Sequence, residues 1–273
     1  MTADFLIKDG VDFKIVVEPQ EEELYAERYG ADRLHVLPFS NLGLGSIPAR
    51  NWCWEHSIAQ GAERHWIVDD NIKSVRRFYK GKRVPCDSGP AFACVEDFAD
   101  RYENLAIAGL AYTMFARMTN MPPIWHNVHA YSCLLIQNDL PVRWRGRYNE
   151  DTDLCLQVLS RGLCTVLVNA FLIEKMQTMS MKGGNAAQLY KGDGRLKMAR
   201  SLERQWPYVV ETKRRFNRPQ HVVRNNWKRF DTPLKLRAGV DPLTFESIDE
   251  YGMQPVAVRE VKSGTLRELL ERK

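Results

Sequence analysis

Acidic side chains stand together at two places in the sequence, and carboxylates both bind divalent cations and accept protons. The first group is Asp69 and Asp70, which follow an apolar run and precede Asn71. Oxygen ligands of this kind suit Mg²⁺ or Mn²⁺, ions that keep several waters and share the phosphates of a substrate. Two adjacent carboxylates repel each other unless a cation or hydrogen bonds neutralise them. The pair indicates a metal or substrate site, although an acidic helix cap gives the same local sequence.

The second acidic group begins at Asn149 and opens a predicted helix over residues 151–161. A carboxylate held near a substrate hydroxyl acts as a general base. We expect Asp151 to fill this role, with Glu150 as the alternative and Asp153 as a weaker candidate. The helix dipole also favours acidic residues in a first turn. Taken alone, this group is therefore more typical of plain helix capping.

The elements around the first acidic group alternate between strand and helix. The predicted strands cover residues 13–17, 33–39 and 65–68, and the predicted helices cover 21–29 and 49–60. Such alternation indicates an α/β fold with a mixed, mostly parallel sheet flanked by helices. Ligands of such sheets bind at the carboxyl ends of the strands. We therefore expect Glu18-Pro19, the loop that begins at Ser40, and Asp69 to meet at one edge.

The rest of the chain divides at about residue 195. Further strands are predicted over 105–108, 132–136, 165–168 and 170–173. Beyond residue 195 the pattern changes to charged helix with interspersed aromatic residues. We predict a catalytic domain over 1–195 and a basic, mainly helical C-terminal extension over 196–273.

The net charge of +5 is unevenly distributed. Residues 211–240 contain nine cationic and two acidic side chains, a net charge of +7. A patch of this kind suits a polyanion, or is the solvated surface of a helix. The six cysteines form no CxxC pair, and we expect Cys133, Cys155 and Cys164 to be buried thiols. Together with the absence of a membrane-spanning or signal-like run, this predicts a reducing, cytoplasmic location.

Several short motifs occur in the order found in one enzyme group. The first motifs resemble those of glycosyltransferases of the GT-A fold, in particular the large family 2 group. They are Asn41-Leu42-Gly43, Ala49-Arg50-Asn51 and the acidic strand end through Asn71. Asn149-Glu150-Asp151 is similar to the motif that carries the catalytic base of the inverting members. The resemblance covers about residues 13–190 and implies a GT-A-type, Rossmann-like sheet.

The resemblance also implies roles for the acidic strand end. Asp70 would be the ligand of Mn²⁺ or Mg²⁺, and Asp69 would contact the sugar or ribose of a nucleotide-sugar donor. The sequence departs from the group in two ways. The group often has Asp at the position of Asn71, and many of its members have a late histidine that binds the metal, whereas no histidine occurs here between residues 171 and 200.

A narrower resemblance adds the acceptor. A second set of motifs resembles those of the TET-associated glycosyltransferases of phages and prokaryotes. The set consists of Val17-Glu18-Pro19, the two acidic motifs, residues 175–178 and residues 182–185. This implies transfer of a sugar, from a UDP-sugar, to 5-hydroxymethylcytosine or a similar hydroxymethylpyrimidine in DNA, with the host cytoplasm as the location if the enzyme is phage-encoded. A GT-A transferase or nucleotidyltransferase for a glycan, protein or small molecule is the alternative. A noncatalytic nucleic-acid-binding module with a degenerate transferase fold is the second.

The residues expected to bind substrates, from the resemblances, the aromatic loop before residue 132 and the basic segment, fall into two groups. For the donor they are Glu18, Pro19, Arg50, Asn51, Asp69, Asn71 and Lys182. For the acceptor and DNA they are Trp125, His126, His129, Arg145, Arg214, Arg215, Arg218 and Arg224.

Overall fold

A computed structural model of the chain describes residues 1–116, 121–176 and 193–240. Residues Met1–Arg237 form one compact unit, and a second unit begins at Ala238. The described helices of the first unit are α1 (Thr2–Lys8), α2 (Glu22–Tyr29), α3 (Ile47–Ala59), α4 (Ser88–Asp100), α5 (Glu150–Leu159) and α6 (Gly194–Gln205). The described strands are β1 (Ile15–Val17), β2 (Leu34–Val36), β3 (Arg64–Val68), β4 (Ile72–Tyr79), β5 (Lys82–Pro85), β6 (Leu105–Tyr112), β7 (Ile124–His126), β8 (Cys133–Gln137), β9 (Cys164–Lys175), β10 (Val210–Arg215) and β11 (Arg218–Val223).

The main sheet has the strand order β3-β8-β6-β9-β4-β5, and β7 pairs with β9 outside this path. Strands β3, β6 and β9 run in one direction, while β8 and β4 run in the other. The predicted mixed sheet flanked by helices is confirmed. Among the described strands, however, antiparallel pairs outnumber parallel ones, because β8 lies between β3 and β6. The parallel pairs are β6–β9 and the separate β1–β2.

The core lies against strand β6, of which residues 105–111 are all buried. Position 109 of this strand requires glycine, because a Cβ there would lie only 2.7 Å from the Cβ of Ala130. The buried cluster continues through Trp54 of α3 and Leu154 of α5 to Trp144. These apolar contacts hold α3 and α5, which carry the motif residues, as parts of one rigid body.

The prediction of a mainly helical C-terminal extension is wrong for residues 210–223. After helix α6 these residues form the antiparallel hairpin β10–β11. The buried, β-branched Val210 and Val223 pair at its base, and Phe216-Asn217 form a two-residue turn with positive φ angles. Strand pairing therefore outweighs the helix preference of the charged residues between them. The predicted boundary after residue 195 falls inside α6.

The six cysteines are free, and Cys133, Cys155 and Cys164 are fully buried, as predicted. Among the described residues, no helix has the length and apolar character needed to cross a membrane.

Candidate active site

The acidic turn, Asp69–Asn71, follows β3 and is fixed from two sides. The backbone amide of Asp69 donates to the Ser132 carbonyl at 2.7 Å. The Thr2 hydroxyl donates to the Asp69 carbonyl at 2.7 Å and accepts from the Ile72 amide at 2.9 Å. Helix α1 and the chain entering β8 thus hold the backbone that presents both carboxylates.

The Asp69 carboxylate lies between two cations. Its Oδ1 is 2.9 Å from Arg50 Nη2, and its Oδ2 is 2.7 Å from Lys175 Nζ. Lys175 Nζ also donates to Ser132 Oγ at 2.6 Å. Burial acts to raise the pKa of Asp69, but the charges of Arg50 and Lys175 outweigh it and hold the pKa below its ordinary value. Asp69 is therefore ionised.

Arg50, in the first turns of α3, joins the two acidic groups. Besides Asp69 it binds the Asp151 carboxylate through Nη1, which also lies 3.7 Å from Glu150 Oε1. Its guanidinium is 4.5 Å from the ring centroid of Trp144, and its side chain is 11% exposed. One largely buried cation thus bridges carboxylates contributed by the turn after β3 and by α5.

Asp151 stands at the beginning of α5, close to this cation. Burial raises its pKa to about 6; Arg50 opposes the rise, and the negative charges of Asp69 and Glu150 add to it. A carboxyl group with a pKa near the working pH is suited to proton transfer. The position therefore fits the predicted general base.

The neighbouring acids differ from Asp151 in what they contact. Glu150 accepts a hydrogen bond from Ser46 Oγ at 3.3 Å. Asp153 is fully buried and accepts from Arg145, from the Trp206 indole at 2.6 Å and from Gln157 at 2.9 Å. Its carboxylate is occupied by these structural bonds, and the predicted DNA contact Arg145 is its ion-pair partner.

The Asp70 carboxylate is exposed and has no ion pair or hydrogen bond to another described residue. The side-chain oxygen of its neighbour Asn71 is buried and also lacks a partner there. The described residues contain no cluster of three or more metal-ligating side chains. This donor set fits a hard cation that one carboxylate shares with substrate phosphates and water. Asp69 is less suited, since both of its oxygens already bind cations.

A cavity of about 180 Å³ lies at the predicted donor edge. Its lining residues are Glu18, Phe39, Asn41, Leu42, Gly43, Gly45, Pro48 and Ala49. The Glu18 carboxylate accepts a hydrogen bond from the Asn41 backbone amide at 3.0 Å. This bond, with a second from the Gln20 side chain, lowers the pKa of Glu18. Pro19 begins the short 3₁₀ turn Pro19–Glu21 beside it. The expected meeting of Glu18 with the loop after Ser40 is therefore observed, whereas Asp69 is not among the residues that line this cavity.

Two further predicted donor residues have different positions. The Asn51 side-chain amide donates to the Trp144 carbonyl at 2.9 Å and accepts from the Trp144 backbone amide at 3.0 Å. These two bonds hold the ring against which Arg50 lies. Lys182 lies outside the described residues.

The predicted acceptor residues separate into two places. Trp125 and His126 are exposed on β7, and Trp125 pairs with Leu167 near the beginning of β9, whereas Lys175 is the last residue of that strand. They lie away from the acidic turn. His129 instead packs between Tyr131 and Trp227, with ring centroids 4.7 and 5.3 Å apart, and burial lowers its pKa to about 4.

Tyr131 connects this aromatic cluster to the site. Burial raises its pKa, and the negative charge of Asp151 raises it further. His221 of β11 adjoins the same region, since its Nε2 is 3.4 Å from Thr152 Oγ1. An aromatic wall, consisting of His129, Tyr131 and Trp227, therefore adjoins the helix start that carries Asp151.

The four cations predicted to contact DNA are all exposed: Arg214, Arg215 and Arg218 in the hairpin, and Arg224 directly after it. None forms an ion pair with another described side chain within 4 Å. Their charge is therefore available to a partner.

Lys175, Ser132 and Tyr112 are site residues that sequence reasoning missed. The Tyr112 hydroxyl lies 2.6 Å from Ser132 Oγ, which in turn binds Lys175. A lysine at the end of a long, mostly apolar strand was the available signal for Lys175. Its contact with Asp69, 106 residues away in the chain, leaves no trace in local sequence.

Comparison with known proteins gives one finding for the chain. A family model described as TET-Associated Glycosyltransferase matches residues 1–184, which is well over half of its length. No curated protein and no solved structure matches it.

Proposed function

The chain belongs to the TET-associated glycosyltransferase family, and we propose that it moves a sugar from a UDP-sugar to the hydroxyl of 5-hydroxymethylcytosine in DNA. Membership supports a glycosyltransferase that acts in DNA modification, with DNA and a nucleotide sugar as its general substrates. The observation that carries the finer proposal is the pair of ion pairs that Arg50 forms with Asp69 and Asp151, called the Arg50 bridge below. It places a carboxyl group suited to proton transfer beside an acidic strand end suited to a nucleotide diphosphate.

The proposed donor site extends from the Glu18 cavity to the acidic turn. We assign the nucleoside to the cavity, because Glu18 and the backbone around Asn41 offer hydrogen-bonding groups there. We assign the diphosphate to the side of Asp70, the carboxylate without a described partner. This arrangement at the carboxyl end of β3 supports a GT-A-type fold.

Asp70, with the Asn71 oxygen beside it, would hold Mn²⁺ or Mg²⁺. Such a cation, when bound, supplies positive charge that stabilises the diphosphate as negative charge develops on it. The protein keeps Asp69 ionised by Arg50 and Lys175, so that this carboxylate can accept hydrogen bonds from hydroxyls of the donor.

Asp151 is the proposed base of an inverting transfer. As the oxygen of the 5-hydroxymethyl group attacks the anomeric carbon, its proton passes to the Asp151 carboxylate. The bond from that carbon to the β-phosphate oxygen breaks, and its electron pair leaves with UDP. Arg50 fixes the orientation of Asp151 by binding one of its oxygens. The pKa of the acceptor hydroxyl is far above neutral, so the position of the Asp151 carboxylate matters more than its basicity.

The proposal is tested with a panel of UDP-sugars, Mn²⁺ and duplex DNA that contains 5-hydroxymethylcytosine. After incubation the DNA is digested to nucleosides, which are analysed by mass spectrometry. We expect a hexosyl adduct of 5-hydroxymethylcytosine with one donor, and none on matched DNA that contains cytosine. The absence of an adduct with every donor would contradict the proposed acceptor and donor class.

A further inference from the structure

The tip of hairpin β10–β11 combines two unfavourable features. Phe216 and Asn217 form its two-residue turn, with φ angles of +51° and +58°. Asparagine tolerates this left-handed conformation, whereas a bulky aromatic residue rarely adopts it. The Phe216 side chain is also 88% exposed. The ring therefore stabilises neither the turn nor the core.

Exposed cations surround this ring. Arg215 and Arg218 form the last pair of the hairpin ladder, directly flanking the turn, and Arg214 precedes them. Arginines bind DNA phosphates, while an apolar side chain inserted between base steps unstacks them. An exposed phenylalanine among unpaired arginines has the composition of a DNA-inserting tip.

The hairpin is anchored at the catalytic helix. His221 lies 3.4 Å from the hydroxyl of Thr152, the residue after Asp151. Thr212 on the other strand donates to Glu203 of α6 at 2.7 Å. The five residue steps from His221 to Phe216 span about 17 Å in a strand, which exceeds the roughly 12 Å width of a major groove. The tip can therefore reach into a duplex whose modified base faces Asp151.

The site itself requires the base to leave the duplex. The Asp151 side chain is only 17% exposed, and its partner Arg50 is 11% exposed. A hydroxyl on a base stacked inside a duplex cannot approach such a carboxylate. Enzymes that meet this constraint turn the nucleotide out of the stack and bind it against aromatic side chains. Here the partly exposed Tyr131 and His129, packed on the buried Trp227, provide such side chains.

We propose that Phe216 is a wedge that enters the DNA duplex and fills the space that the hydroxymethylated base vacates as it turns toward Asp151. The inference rests on the proposed function, in that the base delivered to Asp151 is the acceptor. It adds a specificity-determining residue: the enzyme opens double-stranded DNA itself instead of depending on a strand that is already single.

The first test compares duplex and single-stranded DNA of one sequence, each with one 5-hydroxymethylcytosine. In Phe216→Gly the transfer rate on the duplex should fall about tenfold or more, because one stacking contact is lost, while the single-stranded rate stays within about twofold. Glycine suits the left-handed turn, so the melting temperature should be equal or higher. Phe216→Trp should retain activity on the duplex.

Tyr208→Ala is the matched control. Tyr208 is also exposed, at 83%, and has a φ of +72°, but it lies before the hairpin and its carbonyl accepts a hydrogen bond from Arg229. Its rates on both DNAs should equal those of the wild type. If Phe216→Gly has the wild-type ratio of duplex to single-stranded rates, the wedge is contradicted.

A second readout needs no catalysis. A duplex with 2-aminopurine beside the 5-hydroxymethylcytosine becomes more fluorescent when that step is unstacked. Wild-type protein should produce this increase; Phe216→Gly should not, although fluorescence anisotropy shows that it still binds the duplex. An equal increase in both proteins overturns the wedge. Absence of sugar transfer by the wild type on either DNA overturns the proposed function, while the fluorescence result still decides the wedge.

Discussion

The acidic centre and the basic hairpin carry charge in opposite ways. Asp69 and Asp151 are largely buried and share the cation Arg50, and Lys175 adds a second cation at Asp69, so that charge in the centre is compensated from within. On the hairpin, Arg215 and Arg218 stand exposed without an ion pair to a described residue. On the proposed function, charge that takes part in bond chemistry is fixed in advance by the fold, whereas charge that meets the polyanion is left for that partner to neutralise.

This difference has an energetic side. Removing one partner of a buried ion pair leaves an uncompensated charge, which is strongly destabilising. An exposed cation contributes little to folding. The two regions should therefore respond in opposite ways when their charges are changed. The following predictions are ordered from the largest expected effect to the smallest.

The largest effect is expected from Asp151→Asn, which removes the base and keeps the shape. The transfer rate should fall about 10³-fold, a typical contribution of general base catalysis. DNA affinity, measured by fluorescence anisotropy, should be unchanged because the hairpin is intact. Glu150→Gln tested in parallel identifies the base: a larger loss in Glu150→Gln than in Asp151→Asn would assign the role to Glu150.

Arg50→Met tests whether the acidic centre depends on its internal cation. We expect the free energy of unfolding to fall by roughly 3–5 kcal/mol, because Asp151 and Asp69 both lose a buried partner. Urea unfolding at pH 7 measures it. The triple variant with Asp69→Asn and Asp151→Asn should regain most of the stability without activity. Wild-type stability in Arg50→Met alone would show that the bridge is not structural.

Asp70→Asn tests the proposed cation site. The transfer rate at saturating Mn²⁺ should fall about 10²-fold, since the stabilising charge at the diphosphate is lost. Binding of Mn²⁺ to the protein with UDP, followed by calorimetry, should weaken with it. Asp97→Asn, an exposed acid on α4, is the control and should behave as the wild type. Unchanged Mn²⁺ binding in Asp70→Asn would place the cation elsewhere.

Removal of two hairpin charges should affect binding without affecting the fold. In the double variant Arg215→Gln with Arg218→Gln, we expect DNA affinity at low salt to fall about tenfold, and the salt dependence to decrease by up to about two ions. The melting temperature should not change. The double variant Lys80→Gln with Lys82→Gln removes the same charge from the β4–β5 turn. Equal losses of affinity in both pairs would show that only net charge matters.

The mildest test is pH. Because the pKa of Asp151 is raised to about 6, the carboxylate form predominates above that pH and the inactive acid form below it. The transfer rate should be flat above pH 7 and fall about tenfold per unit well below pH 6. DNA binding should persist over this range, since arginines stay charged. A rate that is constant down to pH 4.5 would contradict Asp151 as the base.

The sequence predicts those elements whose pattern is local. Helix α3, strand β3 and helix α5 were all expected, because regular apolar spacing bounded by glycine or acidic residues is a short-range signal. The acidic turn and Asp151 follow from the same elements. The link between them does not follow, since Arg50 was expected to bind the donor and its ion pairs with both carboxylates were not expected. Contacts between distant parts of the chain, such as Lys175 with Asp69, require the fold.

The hairpins show a second reason for failure. In β10 the consecutive Lys213, Arg214 and Arg215 hide the alternation of a strand, and a Phe-Asn turn lacks the glycine typical of such hairpins. The β4–β5 hairpin was also missed, although Lys80-Gly81 at its turn was an available signal. Burial of Val210 and Val223 decides the first hairpin, and burial is a property of the packed molecule.

The Arg50 bridge also bears on how such an enzyme changes over evolution. Because Arg50 lies between Asp69 and Asp151, replacing Arg50 leaves both carboxylates without their shared cation, at the cost of a buried charge. A lineage that lost its activity would still be selected to keep Arg50 for folding. Its retention in a related chain therefore does not show that the chain is a working enzyme. Asp70, which stabilises nothing described here, is the position where loss of function would first become visible.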